Sequence, residues 1–167
     1  MIEIRPANIN DLPVIQKLAF ETWPSAYLEI LGRKQLDYML EKFYCLPSLE
    51  HQFSILKHKF ILIIENEDPV GFASFSEHED APVYHLNKIY VLPDQQGKNL
   101  GKQILEHVIN EIKKAGAVSL QLNVNRHNKA LHFYEKQDFK IIRKEDIDIG
   151  EGYFMNDYVM ELKWDKL

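Results

Sequence analysis

The sequence predicts an α/β (α+β) domain: a central mixed, mostly antiparallel sheet of about seven strands with helices on its faces. Three observations carry this. Two β-rich runs, Lys59–Glu65 and Val70–Glu77, are joined by Asn66-Glu67-Asp68-Pro69, a hairpin signal. A long helical pattern then separates the strand Val83–Leu92 from the strand Ser119–Val124, as a crossover helix does. Finally, no internal repeat, low-complexity stretch or Gly/Ser linker divides the 167 residues, so 1–167 is read as a single domain.

Each element follows from local pattern. Ile2 and Ile4 alternate with polar residues in a short first strand. Asn10 or Asp11 caps a helix towards Phe20, with Pro13 in its permissive first turn. Leu36, Met39, Leu40 and Phe43 recur at helical spacing and predict a helix over Lys34–Tyr44. Pro47-Ser48 opens a further helical piece through Phe53, with Ser48 as its cap. Leu100, Ile104, Leu105, Val108, Ile109 and Ile112 mark one face of the long helix, which ends near Gly116. Asn128 caps a short helix to about Gln137, and strands over Lys140–Ile149 and Phe154–Trp164 complete the chain.

Composition narrows the function. The net charge of −5, with both signs mixed throughout, argues against a nucleic-acid binder. No apolar run reaches the roughly 20 residues that span a bilayer, and the start lacks a signal-peptide pattern. Cys45 has no partner for an internal disulfide, so a cytoplasmic location is expected. The seven histidines show no two-His helical spacing with a Glu between, so no metal site is expected.

The most informative stretch is Val91-Leu92-Pro93-Asp94-Gln95-Gln96-Gly97-Lys98-Asn99-Leu100-Gly101-Lys102. A strand stops at a proline, and a small-residue loop feeds a long amphipathic helix. Unpaired N–H groups at a helix start and the helix dipole favour an anion there. Gly97 and Gly101 let the main chain approach phosphate oxygens, and Lys98 and Lys102 add positive charge. Alone, a glycine pair fits a plain strand-to-helix turn as well. The triphosphatase loop is excluded because Gly101-Lys102 is followed by Gln103 rather than a hydroxyl, and the three-glycine dinucleotide fingerprint is absent.

Ile89-Tyr90-Val91-Leu92-Pro93 followed by Gln96-Gly97-Lys98-Asn99-Leu100-Gly101 resembles the cofactor motif of the GNAT superfamily of N-acetyltransferases: Arg or Gln, two residues, Gly, one residue, then Gly or Ala. Asn99 stands where the family usually has glycine, and Asn is the non-glycine residue best suited to a left-handed backbone. Downstream, the run from Leu122 to Phe139 resembles the second signature, with Asn128, Ala130, Phe133-Tyr134 and a turn before Phe139. There Asp138 replaces the usual glycine, again with a residue type that tolerates positive φ. The resemblance covers Lys59–Phe139, and more weakly the segments Phe20–Leu28 and Tyr38–Leu40, which are similar to PaiA-type polyamine acetyltransferases.

The resemblance implies a sheet splayed between its fourth and fifth strands, with acetyl-CoA as cofactor. Main-chain groups of Ile89, Tyr90 and Val91 would pair with the pantetheine arm, the Val91 N–H serving as oxyanion donor. Main-chain groups of Gln96–Lys102 would hold the pyrophosphate. Asn128 would also bond the pantetheine arm, and Lys136 would reach the cofactor's phosphates or stand solvated on its helix. Tyr134 matches the general acid that protonates the departing thiolate; by itself it also reads as a core tyrosine. His85 shares a face with Asn87, Ile89 and Val91, and histidine is a residue type suited to take an amine proton, directly or through water, with Glu77 or solvent as alternatives. The expected acceptor is a small primary amine, with polyamines as a subcase. The alternatives are a protein lysine or N-terminus, or a non-catalytic acyl-CoA-binding module. The resemblance also implies a homodimer, since family members often pair, and the last two strands are the surface on offer for it.

Overall fold

The computed structural model describes residues 1–80, 82–95 and 97–164. Seven strands form: β1 (Ile2–Pro6), β2 (Lys59–Glu65), β3 (Asp68–Glu77), β4 (Val83–Val91), β5 (Ser119–Asn125), β6 (Lys140–Gly150) and β7 (Tyr153–Lys163). The helices are α1 (Leu12–Tyr44), α2 (Leu46–Glu50), α3 (Leu100–Lys114) and α4 (Ala130–Lys136). In one sheet the strands lie in the order β1-β2-β3-β4-β5-β7-β6. β1 with β2, β2 with β3, β5 with β7 and β6 with β7 are antiparallel, while β4 and β5 are parallel over Val83–Leu86 and Ser119–Leu122. The crossover that parallel pairing demands is α3, as its sequence position requires. This is the mixed sheet expected.

Two compact units divide the chain, and β4 belongs to both. One comprises Met1–Ser76 and Asn87–Glu111; the other holds Glu77–Leu86 and the chain from Ile112 onward.

In the first unit the hairpin turn forms where expected, with Asn66 and Glu67 both at positive φ (50° and 72°). Two consecutive left-handed residues give a turn whose twist matches its strands. Phe60, Ile61, Leu62 and Ile63 are all buried, so both faces of β2 are covered. Burying one such side chain is worth about 1.5–3 kcal/mol.

The helical segment differs from expectation. The cap is Asn8, whose side chain accepts from the Asn10 N–H while Asp11 accepts from the Asn8 N–H, closing a capping box around a 3-10 turn at Ile9–Asp11. Asn10 does not cap α1; Asp11 stands at the N-cap position of α1 but makes no side-chain cap bond there, its carboxylate being turned to Asn8 and Arg5. The helix then passes Phe20 and Pro24 and breaks at Gly32 (φ 79°, ψ 164°) before resuming to Tyr44. Phe20 ended the sequence reading because apolar periodicity fades there, yet Ala19, Thr22 and Trp23 remain buried. Ser48 does not cap α2, whose first residue follows Cys45; its hydroxyl instead accepts from Gln52. A π-helical turn, His51–Ile55, finishes the segment.

In the second unit Leu120, Leu122 and Val124 of β5 are buried and alternate with polar residues. Trp164 closes the unit, its indole N–H donating to the Ala117 carbonyl at 2.9 Å.

Candidate active site

In the first unit, a 3-10 turn at Pro93–Gln95 carries the chain from β4 towards α3, with the Gln95 N–H on the Leu92 carbonyl. Gly97 has φ +89° and Asn99 φ +60°, so both positions use the left-handed backbone for which the sequence motif selects. A Cβ built at Gly97 meets nothing within 4 Å, which leaves the main chain there open to approach. The Asn99 carbonyl accepts the Gln103 N–H at 3.0 Å and starts the helix. The first-turn amides of α3 that follow lack intrahelical partners by helix geometry. These features fit an anionic pyrophosphate.

The side chains of the loop sort themselves. Leu100 is 3% exposed and packs into the core, so it offers only its main chain. Lys98 Nζ lies 2.7 Å from Gln95 Oε1 and 3.4 Å from Glu65, so part of its charge is already neutralised. Lys102 is exposed in the first turn of α3, where Gly101 precedes it. Gln96 lies outside the described residues.

On β4, the Leu92 N–H donates to Val70 O at 2.9 Å. The Tyr90 carbonyl also turns to β3: a Cβ at Gly71 would come within 2.7 Å of it. Tyr90 therefore directs its carbonyl at β3. Its side chain reaches α1, where the hydroxyls of Tyr90 and Tyr27 share a hydrogen bond of 2.8 Å. Around that pair Trp23 packs on Tyr27, Tyr44 and Tyr90 at ring separations of 4.6, 5.4 and 5.9 Å, and Phe72 touches Tyr44 and Tyr90. Burial pushes the Tyr44 hydroxyl well above its ordinary pKa.

Sequence reading passed over Lys88. It stands two residues from Tyr90 on the same face of β4, with Nζ 5.1 Å from the Tyr44 ring centre. The residue is only partly buried, but loss of water around its ammonium lowers its pKa to about 8. A charged residue amid Leu86 and Tyr90 on a strand pattern was the available signal.

The second unit holds His85, Asn128, Tyr134 and Lys136. Tyr134 is 7% exposed, with its ring against Phe133 and Phe139, and its carbonyl accepts the Gln137 and Phe139 N–H groups. Asp138 adopts φ 72° between them, as its replacement of glycine led us to expect. Asn128 Oδ1 accepts the Ala130 N–H at 2.9 Å, but Asn128 stands one residue ahead of the N-cap of α4, which is Lys129 and makes no side-chain cap bond. Lys136 is exposed in the last turn of α4.

His85 is partly buried, and its Nε2 lies 3.0 Å from Asn123 Oδ1. Asn123 Nδ2 in turn donates to Glu145 and Asp157, each at 3.3 Å. Glu77 instead accepts the Tyr84 hydroxyl at 3.2 Å, and burial, together with the charge and hydrogen bond of that carboxylate, raises the tyrosine's pKa. Among the described residues no cluster of His, Cys, Asp and Glu could hold a metal, and no helix is long and apolar enough to cross a membrane.

Residues 32–162 match the acetyltransferase (GNAT) domain family. The chain belongs to the GNAT acetyltransferases. Over nearly its full length it is similar to the spermidine N(1)-acetyltransferase of Thermoplasma acidophilum: 27% identical, covering 98% of both chains. The crystal structure of the PaiA N-acetyltransferase from the same organism, in complex with coenzyme A, superposes with a TM-score of 0.82 at 27% identity, covering 98% of this chain and 99% of that one. The peptidyl-lysine N-acetyltransferase YjaB of Salmonella typhimurium is 31% identical over 56% of this chain and 59% of its own length. These matches agree with the fold and with the cofactor motif; acetyl-CoA is the acyl donor of GNAT enzymes.

Proposed function

We propose that this GNAT acetyltransferase acetylates the primary amine of a small molecule, polyamines included. What carries the reading is end-to-end similarity to a spermidine acetyltransferase, with a loop open at Gly97 ahead of α3. The lysine acetyltransferase aligns over little more than half of either chain, which makes a protein acceptor the second reading.

When bound, acetyl-CoA supplies a thioester whose carbonyl the amine attacks, with coenzyme A as leaving group. The open main chain of Gly97, with the amides up to Lys102, would hold the pyrophosphate, and Gln96 is assigned with them from the motif. On β4, Val91 sits between the Tyr90 carbonyl and the Leu92 N–H, both committed to β3. Strand alternation turns the Val91 and Ile89 amides the other way, as the oxyanion and pantetheine roles need. The Tyr90 side chain would line the acceptor side instead. Asn128 would add a bond to the pantetheine arm from just ahead of α4, and Lys136 a phosphate contact from the exposed end of that helix.

His85 takes the ammonium proton of the acceptor, directly or through water, because only the neutral amine is a nucleophile. Glu77 is the weaker base, since its carboxylate is exposed and already bonded to Tyr84. Tyr134 donates its phenolic proton to the sulfur as it leaves.

Release of thiol from acetyl-CoA is measured across a panel of polyamines, monoamines, amino acids and lysine peptides. Turnover with small amines is expected. Turnover with lysine peptides alone transfers the assignment to proteins, and silence across the whole panel favours a non-catalytic acyl-CoA-binding module.

A further inference from the structure

Lys88 brings a positive charge to the aromatic cluster of α1, β3 and β4, and no opposite charge meets it there. Its ammonium lies over the Tyr44 ring, 5.1 Å from the ring centre, and among the described residues no carboxylate is within ion-pair distance. Loss of water lowers its pKa, yet at about 8 the group still holds its proton at neutral pH. A second donor in the cluster is also unsatisfied. Trp23 is 5% exposed, and its indole N–H makes no hydrogen bond. Burial raises the Tyr44 hydroxyl and Tyr27 adds to the rise; the Trp23 N–H works the other way without reaching hydrogen-bond geometry.

Buried donors are nearly always paired, so these two ask for an acceptor from outside the chain. For an indole N–H a water is enough, but an ammonium against an aromatic wall calls for negative charge. The acidic residues of α1 do not supply it. Glu21, Glu29, Asp37 and Glu41 are all exposed, Glu21 pairing with Lys17 and Asp37 with Arg33.

A polycationic acceptor meets two obstacles here. Lys88 already occupies the Tyr44 face on which an acceptor ammonium could sit, and its charge repels a second cation. A carboxylate meets the reverse: a cation without a counterion, in drier surroundings that strengthen a charge-assisted hydrogen bond. One ammonium matches one negative charge, and a phosphate dianion would need more. Lys88 is also on the strand that carries the proposed oxyanion donor, three residues from Val91 and about 10 Å away along β4.

We propose that Lys88 is a specificity-determining residue for the acceptor: its ammonium, lying over the Tyr44 ring, takes a carboxylate of the acceptor, so that the preferred substrates are small amines that also carry a carboxylate. This rests on the small-amine reading, and within it moves amino acids ahead of polyamines. The thermodynamic cost of the half-buried charge is then retained for recognition rather than for the fold.

The test compares kcat/KM for ω-amino acids of increasing length with the alkylamines and α,ω-diamines matched to them. The wild type should favour the best ω-amino acid over its alkylamine by roughly tenfold to a hundredfold, the worth of one charge-assisted hydrogen bond. Lys88→Met should lose that preference, use the alkylamine as the wild type does, and accept the diamine relatively better. A variant that is merely misfolded would lower all three together. Equal ratios in the wild type and Lys88→Met overturn the proposal and leave the small-amine reading standing.

Calorimetric titration of the coenzyme A complex with the same ω-amino acids decides the matter without turnover. The dissociation constant should rise roughly tenfold or more in Lys88→Met. No binding to the wild type, or equal binding to both, overturns the carboxylate subsite. If the whole amine panel is silent while binding is lost in the variant, the subsite stands and the acetyl-transfer reading falls.

Discussion

Tyr134 carries the proposed acid chemistry on a single oxygen. Removing it by Tyr134→Phe keeps the ring against Phe133 and Phe139, so the fold and acetyl-CoA binding should persist. We expect kcat to fall by roughly 10²–10⁴-fold, the usual worth of a positioned proton donor, with the acetyl-CoA dissociation constant unchanged. Stopped-flow thiol release and a binding titration measure the two quantities separately, and turnover near wild type would remove Tyr134 from the mechanism.

At Asn99 the same scale gives a stability prediction. An L-residue held at φ +60° carries a steric cost that glycine lacks. Asn99→Gly should raise stability by up to about 1 kcal/mol, or about 2–4 °C in Tm, with acetyl-CoA affinity retained. Calorimetry decides it; a lower Tm would show that the Asn99 side chain contributes more than its backbone costs.

Among the elements, β3 and β4 meet closely at Gly71. A methyl group there would sit 2.7 Å from the Tyr90 carbonyl, and that neighbour is main chain rather than a flexible side chain. Gly71→Ala must push β4 outward just where Ile89–Val91 are assigned to the pantetheine arm. A loss of about 1–3 kcal/mol in chemical denaturation is expected, together with weaker acetyl-CoA binding. Unchanged affinity in a folded variant would detach the β4 main chain from cofactor binding. The elements also show how sequence reading fails and succeeds. The hairpin, α3 and β7 stand within a residue or two of their expected bounds because periodicity and turn residues agree there. α1 outran its expected end because packing around Trp23, rather than local pattern, carries a helix past Pro24 to Gly32.

On the scale of the whole molecule, the partly buried ammonium of Lys88 makes stability depend on pH. Its pKa in the folded state is about 8 against an ordinary 10.5, so the unfolded chain binds the extra proton between those values. Stability should therefore rise as pH climbs from 8 to 10.5, and below 8 the group should carry its full penalty. Lys88→Met should raise Tm at pH 7, with an advantage that shrinks over the same interval. Thermal scans at pH 7 and pH 10 test the sign; a lower Tm in the variant at pH 7 would mean that its contact with the Tyr44 ring outweighs desolvation.

The order of strands and helices, the loop into α3 and the special backbone at Asn99 and Asp138 were legible in the sequence. Each depends on near neighbours: alternation, capping, and residue types that tolerate positive φ. Tyr134 is assigned its proposed role by its motif alone. What only the tertiary structure decided were contacts between strands and helices far apart in the chain. Lys88 over Tyr44 joins residues 44 apart by number, and His85 reaches Asn123, Glu145 and Asp157 through three further strands. A single side chain's pKa and partners depend on what the fold packs against it, and no local pattern encodes that.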